Sequence, residues 1–421
     1  SPFALPLPLR LCACSVTFWK TLFALDSPRV AQHLCTPSNS PSWPLVLSAC
    51  HRSSAMADTA PGPRSAYHRS AEADPESFLT NRGHMYAFFQ SDVRRMPSPK
   101  WPLGRPASGA SSTRFVRILQ WNVNVLMGVS GRDPVQPADV FSLIEHADAD
   151  VVLLQEGGLQ AFPDDIAAGY SEYYQQPVAR LNGRVERLHV LLQEAGYSLL
   201  IADGAFSENP SLVATRLQIV EKGESFDVDG DFRARGTAGD GRSGRLVQLA
   251  LPGEPPDGAR LGVIVTHLHH TERAGLKGVR SAEVAALLQH WRAAGGGVAE
   301  SPMTATVLAT DMNFPRRRDY SEREWQVIRA GFGRLGEPED DGVADALADA
   351  GFVCAYDRSD AGPPTFTHWT STTVDFAWCH FREPANWRVW RAEVLPSALS
   401  DHLPVVTDLQ WKGAELPEWG E

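Results

Sequence analysis

From Arg114 to Leu409 the chain is a succession of short apolar runs, each closed by turn-forming residues. Phe115–Trp121, Val151–Leu154, Tyr197–Ala202, Leu212–Val220, Leu246–Leu251, Val263–His267, Thr306–Ala309, Val374–Trp378, Trp387–Val394 and Pro404–Leu409 are rich in β-branched and aromatic side chains. Their lengths and content predict strands. Helices are predicted where the apolar period lengthens to that of a helix face. In Ala138–Ala147 the residues Val140, Phe141, Ile144 and Ala147 share one side, and Arg184–Ala195, Gly278–Ala293 and Ser321–Ala330 repeat the pattern. This alternation predicts an α/β fold of two packed sheets with helices over their outer faces. Residues 229–244 and 332–342 read as loop insertions.

The chain ahead of Arg114 has a different texture. Residues 57–112 are rich in Pro, Gly, Ser and Arg and read as a flexible arm, in which only Phe78–Phe89 is apolar enough to dock on the body. Residues 1–57 hold one acidic side chain, Asp26, amid many Ser and Pro. Two readings fit them: an organelle transit peptide, or a leader ahead of a start at Met56. The apolar run Leu11–Leu25 is broken by Lys20 and is too short to span a bilayer. No integral membrane segment is expected. The expected plan is a leader-like segment at 1–56, the arm at 57–112, the main folded domain at 113–412 and a short acidic tail at 413–421.

Charge narrows the chemistry. The net charge is −11, but residues 1–112 carry 11 basic and 6 acidic side chains, and residues 113–421 carry 28 and 44. A domain at −16 does not gather polyanions by long-range attraction, so any phosphate chemistry needs a local patch or a metal cation. Of six cysteines only Cys354 and Cys379 lie in the body, without CxxC spacing, which excludes a cysteine zinc site and a disulfide scaffold.

The polar residues that could act on a substrate sit at strand ends. Trp121-Asn122-Val123-Asn124 closes the first strand and Leu154-Gln155-Glu156 the second. Thr266-His267-Leu268-His269-His270 follows Val263–Val265, and Thr310-Asp311-Met312-Asn313 ends another apolar run. Thr373-Val374-Asp375-Phe376 opens a strand, and Ser400-Asp401-His402 precedes the last one. Singly, each reads as well as a turn residue or helix cap. Together they supply the Asn, Asp, Glu and His groups that bind a hard cation and handle protons.

In this order the motifs resemble the endonuclease/exonuclease/phosphatase superfamily, over about residues 113–412. Asn209 with Ala214-Thr215-Arg216-Leu217, and Arg280 with Glu283, strengthen the resemblance. Thr310 and Met312 depart from the usual Gly and Phe, and a Thr removes the freedom a Gly gives a strand-to-loop turn. The resemblance implies a four-layered α/β sandwich of two packed mixed β-sheets with helices on the outer faces. It also implies a metal-dependent phosphoester hydrolase. In that scheme Glu156, Asp401 and Asn122 hold Mg2+, for which Mn2+ can substitute, and Asp311 activates water with Asn313 beside it. His402, oriented by Asp375, and His267 stabilise the phosphoryl oxygens. Asn209, Arg316 and Trp369 are the expected substrate contacts.

Arg316-Arg317-Arg318 reads either as a grip on a second phosphate or as a solvated loop start. Phe366, His368 and Trp369 read either as a stacking wall or as core. The favoured substrate is a nucleic-acid phosphodiester. The alternative is a phosphomonoester or lipid phosphodiester, small or membrane-borne, and the chain is expected to be a monomer.

Overall fold

Alternation in the first strand, β1 (Arg114–Asn122), determines the layering. Val116, Ile118 and Gln120 face one way, and Arg117, Leu119 and Trp121 the other. Both sets are buried, so the strand lies between two layers. The computed structural model describes residues 82–411 except 98, 100–102, 105–113, 132, 160–170, 172–174, 203–209, 229–241, 256–257, 270–277, 335–341, 360–361, 363, 365 and 371. Asn209, His270 and most of the 229–244 insertion therefore lie outside the described residues.

In chain order the described elements begin with helix α1 (Arg82–Arg95), β1, helix α2 (Pro137–Ala147), β2 (Val151–Gln155) and helix α3 (Val178–Glu194). Strands β3 (Ser198–Ala202), β4 (Ser211–Thr215), β5 (Ile219–Glu221), β6 (Ser225–Asp227), β7 (Ser243–Ala250) and β8 (Arg260–His267) follow. Next come helix α4 (Val279–Ala293), β9 (Met303–Asp311), helices α5 (Glu322–Arg334) and α6 (Gly342–Asp349), and β10 (Val353–Cys354). The last are β11 (Asp375–Phe381), β12 (Trp387–Val394) and β13 (Val405–Trp411).

The strands form two mixed sheets, ordered β12-β13-β1-β2-β4-β3 and β10-β11-β9-β8-β7-β5, with β6 also paired to β7. Val116, Ile118, Val151, Leu153 and Val213 of the first share one core with Val263, Val265, Val307 and Ala309 of the second. On the first sheet's far side Leu119, Trp121, Val152 and Leu154 pack with Val140 and Ile144 of α2 and Leu188 and Leu192 of α3. On the second sheet's far side lie α4 and α6, with Trp291 donating its Nε1–H to Thr306 Oγ1 at 3.1 Å. Four layers result, as expected. No helix among the described residues is long and apolar enough to cross a membrane.

Polar groups tie the layers where apolar packing alone would let them slide. Gln120 Nε2 donates across the sheets to Thr310 O at 2.8 Å, and Gln155 Nε2 to Ala309 O at 3.3 Å. On the outer face of β1, Arg117 makes a bidentate pair with Asp408 of β13 at 2.7 and 3.0 Å. The remaining guanidinium donors reach the Leu103, Gly104 and Ala147 carbonyls, so the buried charge is fully served.

Three sequence expectations shift. The run Leu212–Val220 is two strands in different sheets, because Arg216 N donates to Asp150 O and Leu217 N to Thr215 Oγ1, turning the chain between them. Helix α3 starts six residues before Arg184, directly after Pro177. The arm is not loop throughout: α1 is helical, with Phe89 and Val93 buried.

Candidate active site

Strand direction gathers the polar motifs at one end of the sandwich. Strands β1, β2, β8 and β9 end there, while β11 and β13, antiparallel to β9 and β1, begin there. Register places His267, Asp311 and Asp375 side by side on three adjacent strands, and Asn122 opposite Gln155, next to Glu156. Asp401 and His402 enter just ahead of β13. The first sheet thus supplies Asn122, Glu156, Asp401 and His402, and the second His267, Asp311 and Asp375.

Asp311 is the hub. Its Oδ2 accepts from Asn122 Nδ2 at 3.0 Å and faces His267 Nε2 at 3.4 Å and His402 Nε2 at 3.6 Å. Its Oδ1 accepts from Asn313 N at 2.8 Å. Burial, opposed by His402 and reinforced by Asp375, raises its pKa to about 6. His402 Nδ1 contacts both Asp375 oxygens, at 3.0 and 3.2 Å. Burial disfavours the charged ring, but Asp375, Asp311 and Asp401 outweigh it and raise the pKa to about 10. Trp121 Nε1 donates to His402 O at 2.9 Å, which fixes the ring's anchor to β1.

Several left-handed non-glycine residues lie at the same edge. Glu156 and Asn313 both have left-handed φ, 54° and 52°. The turn expected at Thr310 falls instead at Asn313, so β9 stays extended through Asp311 and needs no glycine there. Asn124, Val125 and Leu126 are left-handed in succession, an unfavourable conformation for Val in particular. Asn122 Oδ1 accepts from Asn124 N at 2.9 Å, so this buried turn orients the Asn122 amide. Gly128, which follows it, pairs with Ser400, and a Cβ there would lie 2.4 Å from Asp133 O.

Two carboxylates face the solvent side of the cluster. Glu156 and Asp401 are partly exposed, whereas Asp311 and Asp375 are fully buried. Burial and the charge of Asp401 raise Glu156 to about 7, and burial raises Asp401. Crowded carboxylates held by an amide, with too little positive charge nearby, suit a hard divalent cation bound through oxygen. Ligand atoms of Asp311, Asp375 and His402, and of His368, Asp401 and His402, also fall within 4.8 Å of one another.

Arg242, which the sequence did not single out, supports the cluster together with residues that it did. Arg242 Nη1 lies 2.9 Å from His267 Nδ1, and Asn313 Nδ2 lies 2.8 Å from both His267 Nε2 and Leu268 O. A neutral imidazole accepts at one nitrogen only; the cationic donor has the stronger claim, leaving the Nε2 proton toward Asp311. Arg242 sits at the end of a stretch that reads as loop, and only the Gly244–Thr266 register brings it beside His267. His269 pairs with Glu283, whose Oε2 also accepts from His269 N at 3.0 Å. Arg280 reaches the His269 and Asn313 carbonyls, at 3.4 Å each.

The segment Phe366–Trp369 brackets the site. Thr367 Oγ1 accepts from Val374 N and Asp375 N at 3.0 and 3.1 Å, and Thr367 O from Leu403 N at 2.7 Å. His368 forms a β-bridge with His402, their rings 4.3 Å apart, and Trp369 N donates to Asp401 O at 2.8 Å. The bracket is therefore both core, through Phe366, and half-exposed wall, through His368 and Trp369.

Arg316 does not take the place expected of it. It is 3% exposed and lies over Phe376 and Trp378, on the face of β11 turned away from Asp375. Its guanidinium is taken up by Asp319 and Asp357. Arg317 and Arg318 pair with Glu322 and Asp357. The run is a structural clamp because the adjacent loop supplies carboxylates that the spacing of the arginines alone could not reveal.

No curated protein matches the chain. Among solved structures it is similar to an endonuclease/exonuclease/phosphatase from Beutenbergia cavernae DSM 12333, at 19% identity and a TM-score of 0.49 over 72% of each chain. It is also similar to the human Nocturnin catalytic domain with bound sulfate, at 19% identity and 0.44, over 73% of this chain and 99% of that one. A family protein from Bacteroides thetaiotaomicron aligns at 15% and 0.44, over 72% and 100%. The sequence profile of the Endonuclease/Exonuclease/phosphatase family matches residues 119–402, from within β1 to His402. The chain belongs to the endonuclease/exonuclease/phosphatase family of phosphoester hydrolases.

Proposed function

We propose that the chain is a magnesium-dependent phosphodiesterase acting on nucleic acid. The observation that carries the hydrolytic reading is the setting of Asp311, whose Oδ2 is faced by Asn122, His267 and His402 from two sheets. With a pKa near 6, Asp311 is ionised at neutral pH and suited to take the proton of an attacking water. Asn313 N at Oδ1 and Asn122 Nδ2 at Oδ2 hold the carboxylate in one orientation. His402, kept cationic by the surrounding carboxylates, donates from Nε2 to a phosphoryl oxygen as negative charge builds. His267 serves a second oxygen, and Asp375 holds the His402 ring in orientation.

Glu156 and Asp401, with Asn122 beside them, would hold magnesium, or manganese in its place; the bound cation supplies charge neutralisation at the phosphoryl group and the leaving oxygen. Half-exposed Trp369, hydrogen-bonded to Asp401, offers an aromatic face to a base, and Asn209 is retained as a substrate contact. A second reading is favoured by the commitment of Arg316 to Asp319 and Asp357 in a chain whose residues 113–421 carry a net charge of −16. On that reading the substrate is a phosphomonoester or lipid phosphodiester.

The test is hydrolysis by the full chain of single- and double-stranded DNA, RNA, a 5′-tyrosyl oligonucleotide, inositol phosphates and sphingomyelin. Turnover is expected to vanish in chelator, to return with magnesium or manganese, and to return poorly with calcium. Undiminished turnover in excess chelator would remove the metal from the mechanism.

A further inference from the structure

The family profile begins at residue 119, yet a helix far ahead of it packs against the segments that carry the catalytic edge. In α1, Phe89, Asp92, Val93 and Met96 recur at helical spacing, the first three buried and Met96 half-buried just past the helix. Phe89 and Val93 form one apolar cluster with Phe366, Leu403 and Val129, and Met96 and Trp369 pack against it. Phe89 meets Phe366 edge to face, with ring centroids 5.8 Å apart.

Each partner adjoins the site. Val129 follows Gly128, which bridges to Ser400. Leu403 follows His402, and its N–H is held by Thr367. Phe366 and Trp369 are the two ends of the bracket that touches Asp375, Asp401 and His402. α1 supplies Phe89 and Val93 to the apolar cluster that all three segments share, with Val394 of β12 packed against it. We propose that α1 is a working part of the active site: its Phe89–Val93 face holds the Phe366–Trp369 bracket, and through the His368–His402 bridge it positions the His402 imidazole. Phe89 is thus a positioning residue, and the hydrolytic unit begins at or before α1. This rests on the hydrolase reading for its kinetic consequence and on geometry alone for its structural one.

The experiment uses the full chain with ring-15N-labelled histidine, His402 being assigned by His402→Gln. Two readouts are taken: the His402 ring signals, and kcat and KM with magnesium on bis(p-nitrophenyl) phosphate. Phe89→Ala is expected to shift or broaden the His402 signals and to lower kcat by about tenfold or more with KM nearly unchanged, as misplacement of a catalytic group does. Phe89→Leu should restore both. Leu347→Ala, at a buried position of α6 on the far side of the second sheet, should lose stability and alter neither. Should Phe89→Ala fail to fold, the milder Val93→Ala replaces it with the same expectation. A folded Phe89→Ala or Val93→Ala protein with wild-type His402 signals overturns the proposal. Wild-type protein without hydrolysis overturns the hydrolase reading, and the ring signals then decide this one.

Discussion

Asp311 is wholly buried, yet its pKa of about 6 leaves it charged at neutral pH, because His402, Asn122 and the Asn313 amide oppose the effect of burial. Asp311→Asn keeps the shape and loses the base; it should lower kcat at least about a hundredfold, and so should His402→Ala. Circular dichroism should stay native, and near-wild-type turnover in either variant would remove that residue from the chemistry. The pH profile of kcat should rise as the carboxyl loses its proton near pH 6 and fall as His402 loses its own near pH 10, both as apparent values of one coupled set. Glu156 makes a separate prediction. Its folded pKa of about 7 lies above the ordinary 4.5, so without metal the folded state holds the proton more tightly than the unfolded chain. That stabilisation is complete below pH 4.5 and is lost as pH rises through 7, an effect on the order of 3 kcal/mol. In chelator, Glu156→Gln should therefore be more stable than wild type at pH 7.5, and the gap should close toward pH 4.5. A gap that ignores pH in urea titrations would contradict the crowding of Glu156 with Asp401.

At the scale of elements, Arg316 makes the clearest case. With its side chain 1% exposed between Asp319 and Asp357, it joins the loop after β9 to the turn after β10. Arg316→Ala strands the buried Asp319 side chain, whereas Asp357 keeps Arg318, and should cost about 3 kcal/mol in urea unfolding, as loss of one partner of a buried pair does. A loss below about 1 kcal/mol would return the run to the status of an exposed pair. This residue also marks where sequence reading stops. The strands were legible in the length and the β-branched and aromatic content of the apolar runs, and the two-sheet layering in their alternation with helical periods. Roles that depend on distant partners were not legible. Nothing near Arg316 in sequence announces Asp357, nothing near Arg242 announces His267, and the break at Arg216 that sends β4 and β5 to different sheets depends on Asp150.

Taken whole, residues 113–421 must attract an anion while carrying a net charge of −16. Paired with Asp319, Glu322 and Asp357, the arginine run does not serve to release counterions from a nucleic acid. On a single-stranded oligonucleotide, log kcat/KM should fall with log salt by only about one to two units, roughly 0.7 per phosphate contact. Arg316→Ala should leave that slope unchanged, and a slope of zero would exclude a nucleic-acid substrate. The two sheets meanwhile divide the site between them. Asn122, Glu156, Asp401 and His402 belong to one and His267, Asp311 and Asp375 to the other, joined across the gap by Asn122–Asp311, His402–Asp375 and the Gln120 and Gln155 amides. The reacting groups work like the two blades of a pair of scissors, useless when the pivot loosens although neither blade is bent. A partly denatured form that kept both sheets intact but undocked would retain its circular dichroism and have no turnover, so activity measures the pivot rather than the blades.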